Sequence, residues 1–122
     1  MQPPKDVEVE FEELDPDHGG RQHPLVTDSR PQFYYRGHDW DCRVEVIASG
    51  PREPRIGVRA YLAFLSPAEH SGRLRPGSAF LFREGQRTIG FGTVTRLLDL
   101  EKSAERQRAD PQYYSWHRDA AT

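Results

Sequence analysis

The segment DVEVEFEEL, residues 6–14, alternates apolar and acidic side chains and constrains the fold more than any other part of the sequence. Val7, Val9 and Phe11 occupy every second position, and glutamates fill the positions between them. A period of two residues is typical of a β-strand that buries one face and exposes the other to water. The pattern therefore predicts an N-terminal strand with an apolar inner face and a solvated acidic outer face.

Five further short segments have the composition of strands, because they are rich in aromatic, aliphatic and β-branched residues. They are QFYYR (32–36), CRVEVI (42–47), IGVRAYLAFL (56–65), AFLFR (79–83) and RTIGFGTVTRLL (87–98). Glycine and proline interrupt the chain between them, and SPAEHSGRLRPGS (66–78) is predicted to be a long loop. No helix alternates with the strands. We therefore expect an all-β fold, an antiparallel barrel or sandwich of six strands.

The alternation within these strands also predicts which side chains form the core. In QFYYR, Phe33 and Tyr35 share one face, and we favour their burial over a surface that stacks nucleic-acid bases. Gly90 and Gly92 interrupt the last strand, which indicates a β-bulge or the close approach of another backbone. The expected core residues are Val9, Phe11, Phe33, Val44, Val46, Leu62, Phe64, Phe80 and Phe91.

Length and composition indicate one domain, residues 1–98, followed by a polar segment, residues 99–122. DLEKSAERQRAD (99–110) is rich in helix formers, so we expect a helical or mobile tail that contributes little to stability. Cys42 is the only cysteine, which excludes an internal disulfide. No apolar run has membrane-spanning length, and the N-terminus lacks a signal-peptide pattern. A cytoplasmic location without membrane contact is expected.

The charge is distributed unevenly along the chain. Residues 1–17 carry seven acidic residues and one basic residue, which leaves sixteen basic and twelve acidic residues in the rest of the sequence. We call residues 1–17 the acidic arm. The mildly basic remainder of the chain could bind a polyanion, but its net positive charge is far below that of a typical nucleic-acid-binding domain. A solvated surface with its own salt pairs is the favoured interpretation.

Motifs for catalysis are missing from the sequence. No G-x-S-x-G elbow occurs, and none of the five histidines stands beside an obvious nucleophile. His38, Asp39, Asp41 and Cys42 carry atoms that bind metals, but no second Cys or His pair stands at a zinc spacing. A solvated turn is therefore favoured at this point. We expect no enzymatic activity, no metal and no cofactor.

Three stretches carry a resemblance to a known family. They are DPDHGGRQHPL (15–25), RPQFYYR (30–36) and FREGQRTIGFGTV (82–94). In this order and at this spacing, within Val7 to Leu98, they resemble the C-terminal β-barrel, the third domain, of elongation factor Tu. The resemblance implies a six-stranded antiparallel barrel.

The resemblance also implies a set of binding residues. Gln32 and Glu84 match family positions that contact the T-stem backbone and 2′-hydroxyls of aminoacyl-tRNA, and Arg21 matches the Gly-Gly-Arg loop. Asp41 stands where the family has a threonine, and a carboxylate beside a phosphate is repulsive. The RNA- or partner-binding set is Arg21, Arg30, Gln32, Arg36, Arg83, Glu84 and Arg87.

The resemblance implies a stand-alone, non-enzymatic binding module. The acidic arm and Asp41 favour a protein-interaction module linked to translation or its regulation. Such a module mimics the factor's barrel toward one of the factor's partners, such as a regulator, an exchange factor or a toxin. A tRNA or RNA-stem binding protein is the alternative. An enzyme is a third class, with a new site in the loops that depart from the family's pattern, the shorter hairpin 48–55 and the longer loop 66–78.

The first prediction concerns GTP, which the GTPase domain of that family binds through a phosphate loop, G-x-x-x-x-G-K-[ST]. No such string occurs in these 122 residues. We therefore expect neither binding heat nor a thermal shift when the protein is mixed with GTP or GDP and Mg²⁺. A micromolar dissociation constant in isothermal titration calorimetry would contradict this expectation.

Overall fold

Six antiparallel strands close into a barrel in the order β1-β4-β3-β2-β5-β6. The computed structural model describes residues 3–110 and residue 112. A 3-10 helix (Pro16–His18) follows β1, a short helix α1 (Pro67–His70) follows β4, and helix α2 (Leu100–Ala109) follows β6. The antiparallel barrel predicted from the sequence is confirmed. The strands are β1 (Val7–Glu13), β2 (Gln32–Tyr35), β3 (His38–Ala48), β4 (Val58–Phe64), β5 (Ala79–Glu84) and β6 (Arg87–Leu97).

The barrel interior contains a cluster of aromatic rings centred on Phe33. Its ring stacks on Phe80 at a centroid distance of 4.5 Å and meets Phe64 edge to face at 5.1 Å. Such ring pairs add to the stabilisation that comes from burying apolar area. Val46 is only partly buried but packs against the core. The predicted core residues that are buried are Val9, Phe11, Phe33, Val44, Leu62, Phe64 and Phe80.

Phe91 is the exception, because its side chain lies on the outer surface with 44% of its area exposed. β6 carries one extra residue, Ile89, in its pairing with β5. A bulge of one residue reverses which side chains face inward. Ile89 and Val94 are therefore buried, whereas Phe91 faces solvent. The predicted burial of Phe91 is wrong, although Gly90 and Gly92 indicated the bulge that causes its exposure.

Gly92 permits a close approach of β1 to β6, as the sequence predicted. Phe11 of β1 is the register partner of Gly92. A Cβ atom added to Gly92 would lie 2.3 Å from the carbonyl oxygen of Glu10 and 2.7 Å from the Cβ of Phe11. Any side chain at this position would force the two strands apart.

The outer face of β1 is only partly solvated, which corrects the expectation of a uniformly wet acidic face. Glu8 is only 6% exposed, because Thr95 and Arg96 of β6 lie over it. Its carboxylate accepts a hydrogen bond from Arg96 Nη2 at 2.7 Å, and this bond is the main reason that the pKa of Glu8 lies below its ordinary value. Glu10, two residues later, is exposed as expected.

The predicted loop 66–78 contains helix α1 and a histidine in the core. His70 is fully buried, with its ring 4.3 Å from that of Phe64. Its Nδ1 lies 2.6 Å from the hydroxyl oxygen of Tyr35. Burial, together with the nearby charge of Arg73, lowers the pKa of His70 to about 4, so the ring is neutral near pH 7. The prediction of a loop over residues 66–78 therefore missed a histidine that belongs to the core.

Helix α2 packs on the barrel, so the part of the predicted tail that the structure describes is helical and partly buried. Its Leu100, Ser103 and Ala104 are buried. Ser103 Oγ donates a hydrogen bond to Asp6 Oδ1. The helix thus joins the end of the barrel sequence to its beginning.

In the predicted tail, residue 111 and residues 113–122 lie outside the described residues.

Within residues 3–110, neither α1 nor α2 has the length and apolar character needed to cross a bilayer.

The second prediction concerns Asp6, which is fully buried and whose Oδ2 also accepts a hydrogen bond from the backbone N–H of Phe64 at 2.8 Å. Burial raises the pKa of Asp6 to about 6, and the charge of Asp99 acts in the same direction. The folded protein therefore holds this proton more tightly than the unfolded chain does. The resulting stability is complete below the unfolded pKa of 3.8 and is lost as the pH rises through about 6.

Asp6→Asn removes the charge but can still accept from Phe64 and can donate to Ser103 through its amide. We expect this variant to match the wild type in free energy of unfolding near pH 4 and to exceed it by up to ~3 kcal/mol near pH 7. Urea unfolding at both pH values measures the difference. Asp6→Ala, the control, should be destabilised near pH 4, because it leaves two donors without an acceptor. An equal difference between Asp6→Asn and the wild type at both pH values would show that Asp6 does not titrate in this range.

Candidate functional site

Five of the seven predicted binding residues meet on the outer surface near the turn between β5 and β6. We call Arg21, Gln32, Arg83, Glu84 and Arg87 the polar cluster. Gln32 of β2 is the register partner of Arg83 of β5. Glu84 forms ion pairs with Arg21, at 3.3 Å, and with Arg87, at 3.6 Å. Residues from the three resembling stretches are therefore close together in space.

The other two predicted residues lie at opposite ends of β2, outside the polar cluster. Arg30 precedes the strand, and Arg36 follows it in the turn to β3. Burial, and after it the nearby positive charge of Arg43, lowers the pKa of the Arg30 guanidinium. The structure thus separates Arg30 and Arg36 from the residues with which they were grouped.

The loop that carries Arg21 is held on the barrel by two charged side chains that the sequence analysis did not single out. The buried carboxylate of Glu13 accepts the backbone N–H of Leu25 at 3.0 Å. Burial raises the pKa of Glu13, whereas the hydrogen bond from Leu25 lowers it. Arg55 donates to the carbonyl oxygens of Leu14, at 2.9 Å, and of Arg21, at 2.8 Å. These contacts present the guanidinium of Arg21 from a fixed backbone.

The arginines of the polar cluster are balanced by carboxylates. Arg83 Nη1 lies 3.6 Å from Asp39 Oδ2, and its guanidinium lies over the ring of Tyr34 at 4.6 Å. Gln32 Nε2 donates a hydrogen bond to Asp41 Oδ1 at 2.8 Å. Three arginines are thus paired with two carboxylates, Glu84 and Asp39, and Asp41 adds a third negative charge beside Gln32. A phosphate chain would have to displace these partners before it could neutralise the arginines.

A row of apolar side chains runs across the outer face of the barrel beside the polar cluster. Tyr34 of β2 is the register partner of Leu81 of β5, and Leu81 is the partner of Phe91 of β6. We call these three side chains the outer row. Because directly opposed Cβ atoms lie about 5 Å apart, the outer row is about 10 Å long. Its ends are flanked by Asp39 of β3 and Glu12 of β1.

A groove adjoins the outer row and extends its apolar surface to Ile56. The groove is lined by Leu81, Phe91 and Ile56 and by the acidic side chains of Glu10 and Glu12. Ile56 was included in the predicted strand 56–65, but it precedes β4 and is 44% exposed. Phe91 was expected in the core, so the sequence alone did not indicate this surface.

The four potential metal ligands lie along β3, so the predicted solvated turn is wrong. Cys42 is buried, and its thiol donates to the carbonyl oxygen of Pro31 at 3.3 Å. Burial raises the pKa of this thiol, which keeps it protonated. Within residues 3–110 and 112, no group of three or more His, Cys, Asp and Glu side chains is placed to hold a metal ion. Alternation along a strand explains this, since neighbouring ligands face opposite sides.

No protein-family model matches the chain. The six-stranded antiparallel barrel is consistent with the third domain of elongation factor Tu, which three of its sequence motifs resemble. A fold by itself does not determine a function, and the features of this barrel that bear on function are the polar cluster and the outer row.

The third prediction is that the polar cluster disfavours RNA. We expect Asp39→Asn/Glu84→Gln to bind an acceptor–T-stem minihelix more tightly than the wild type does, because it frees Arg21, Arg83 and Arg87. Its plot of log K against log salt should steepen by about 0.7–0.9 per released arginine. Fluorescence anisotropy measures both quantities.

The matched control for this experiment is Glu105→Gln/Asp110→Asn, which makes the same change of charge at exposed positions in and after α2. It should leave the salt dependence unchanged. Sub-micromolar binding of the minihelix by the wild type at ~150 mM salt, well above the usual non-specific range, would contradict the prediction.

Proposed function

We propose that this protein is a non-enzymatic binding module that docks on a protein partner through the outer row, in translation or its regulation. The observation that carries the proposal is the outer row itself, an outward-facing apolar strip in which Phe91 is exposed and Tyr34 and Leu81 are half-buried. It lies beside a polar cluster whose arginines are already paired with carboxylates. The resemblance to the third domain of elongation factor Tu supports the link to translation.

The composition of this surface favours a protein partner. Single exposed apolar residues are ordinary on protein surfaces and need no explanation. Here Tyr34, Leu81 and Phe91 are adjacent, and the groove continues their apolar surface to Ile56. Protein interfaces combine such an apolar, aromatic centre with a polar rim, and tyrosine and arginine are enriched at their most important contacts. Arg83, which lies over Tyr34, is placed in that rim.

The proposed mode of action is competition. A barrel that resembles one domain of the elongation factor, without its phosphate loop, could occupy a protein that binds the factor and yet take no part in GTP hydrolysis. Partners of this kind are an exchange factor, a regulator or a toxin directed at the factor. The closed barrel suits the role, because a rigid surface loses little conformational entropy on binding.

RNA-stem binding is less well supported by the same surface. The arginines that would contact phosphates are paired with carboxylates, and Asp41 stands at a position implied to lie near the backbone of an RNA ligand. Non-specific binding of nucleic acids draws its affinity from the release of counterions by unpaired cations. A protein partner can instead contact these ion pairs without separating them.

The fourth prediction tests the outer row with Phe91→Ser. Because Phe91 is largely exposed, the variant should fold with a thermal midpoint close to that of the wild type. Removing an aromatic contact at the centre of an interface typically costs 2 kcal/mol or more, so we expect recovery of the partner from host lysate to fall by at least about tenfold. Quantitative mass spectrometry of proteins bound to the immobilised variants measures the recovery.

Leu97→Ser is the matched control, because Leu97 lies on the same strand, is 39% exposed and is outside the outer row. The proposal expects at least one protein of the translation machinery to be retained by the wild type and by Leu97→Ser and lost by Phe91→Ser. If no captured protein depends on Phe91, or if RNA is the main species retained, the proposal is wrong.

A further inference from the structure

A cleft at one end of the outer row holds two arginines that the polar cluster does not use. Its lining includes Tyr34, Tyr35, Arg36, Arg73 and Leu81. Leu81 also lines the groove beside Phe91, as does the neighbouring segment 79–80, so the cleft and the groove form one continuous surface.

Arg36 is held in a backbone conformation that arginine rarely adopts. Tyr35 and His38 are paired across the turn, and the two residues between them, Arg36 and Gly37, have φ angles of 51° and 83°. Two-residue hairpin turns with two positive φ angles strongly prefer Asn, Asp or Gly at both central positions. A side chain in this region is strained, and strained residues that persist are concentrated at functional sites.

Arg73 is positioned by buried residues on either side of it. His70 is fully buried and bonded to the hydroxyl of Tyr35, and Leu74 is buried in the barrel core. The backbone N–H of Arg73 donates to the carbonyl oxygen of His70 at 3.0 Å. The segment that carries Arg73 is therefore fixed against the mouth of the barrel.

The side chains of Arg36 and Arg73 lie in the same cleft. Both side chains line the cleft together with Tyr35. Burial raises the pKa of the Tyr35 phenol, and the positive charges of Arg73 and Arg36 act to lower it. The exposed carboxylate of Glu69 is near Tyr35 as well. Among residues 3–110 and 112, no carboxylate forms an ion pair with Arg36 or Arg73, in contrast to the arginines of the polar cluster.

We infer that this cleft binds the side-chain carboxylate of an acidic residue in an extended segment of the protein partner, next to an apolar residue that lies on the outer row. The inference rests on the proposed function and names the chemistry of its partner. Two guanidinium groups in one cleft provide the paired N–H donors that carboxylates bind with charge-assisted hydrogen bonds. The shared lining at Leu81 places that carboxylate beside the apolar contact.

The groove also carries charge of the opposite sign at its far end. Glu10 and Glu12 line it beyond Phe91, on the side away from the cleft. A partner segment would therefore be oriented with its acidic residue at Arg36 and Arg73 and with a neutral or basic residue near Glu10 and Glu12. An RNA strand suits this surface less, because it carries negative charge along its whole length.

The test is a selection from a random dodecapeptide library displayed on phage, with the wild type, Arg36→Gln/Arg73→Gln and Phe91→Ser as immobilised targets. Lys102→Gln/Arg108→Gln is the matched control, since it makes the same change of charge at exposed positions on α2. We expect the wild type and the control to enrich peptides in which Asp or Glu stands within three residues of an aromatic or aliphatic residue. Arg36→Gln/Arg73→Gln should lose the acidic preference but retain apolar peptides, and Phe91→Ser should lose both.

The most enriched peptide is then measured by fluorescence anisotropy beside its Asn/Gln counterpart. We expect the acidic form to bind the wild type at least tenfold more tightly and the two forms to bind Arg36→Gln/Arg73→Gln equally. Arg36→Gly provides a second variant that relieves the strain of the turn. It should keep or raise the thermal midpoint and still weaken the acidic peptide.

The outcomes separate the two proposals. Enrichment of apolar peptides with no acidic preference would overturn the inference and leave the proposed function supported. Absence of any enrichment over a blank support would count against both. Displacement of the acidic peptide by an RNA minihelix at ~150 mM salt with equal or better affinity would identify phosphate as the anion and would also overturn the inference.

Discussion

The packing of β1 against β6 at Gly92 is the contact on which the rest of the structure depends. β1 pairs with β4 on one side and with β6 on the other, so the barrel remains closed only if both ladders form. Gly92 leaves room for Phe11, and the ring of Phe11 meets that of Phe82 edge to face at 5.0 Å. The contact that closes the barrel is therefore also part of its aromatic core. The bulge in the same strand exposes Phe91, so one stretch of β6 both closes the barrel and forms part of its proposed binding surface.

Buried carboxylates near the N-terminus form hydrogen bonds with segments that are distant in sequence. Asp6 accepts a hydrogen bond from Ser103 of α2, and Glu8 accepts one from Arg96 of β6. Their electrostatic situations differ, because Glu8 has a guanidinium partner whereas Asp6 has only neutral donors. The pKa of Glu8 is therefore lowered, whereas burial raises that of Asp6. A buried carboxylate costs free energy unless its hydrogen bonds are made, so these residues disfavour arrangements of the chain that leave them unpaired.

Much of the fold could be predicted from the sequence, because alternation and turn residues are local properties. The orientation of Phe91 could not, since it depends on a single extra residue in the pairing of two strands. The burial of His70 depends on a hydrogen bond to Tyr35, 35 positions away, and nothing in the surrounding loop sequence indicates it. The resemblance located residues that do meet in the polar cluster. It did not supply their carboxylate partners, because the pairing of Asp39 with Arg83 follows from the register of three strands.

Because the barrel is closed, every one of the six strands has a neighbour on both sides. Within the described residues, the sheet therefore offers no free edge at which a partner could add a strand through backbone hydrogen bonds. A partner must therefore recognise the sheet through its side chains, because the strands already pair with one another. Such a surface can acquire a new specificity by exchanging a few outward-facing residues while the inward-facing ones keep the fold, which makes the barrel an evolvable and engineerable scaffold.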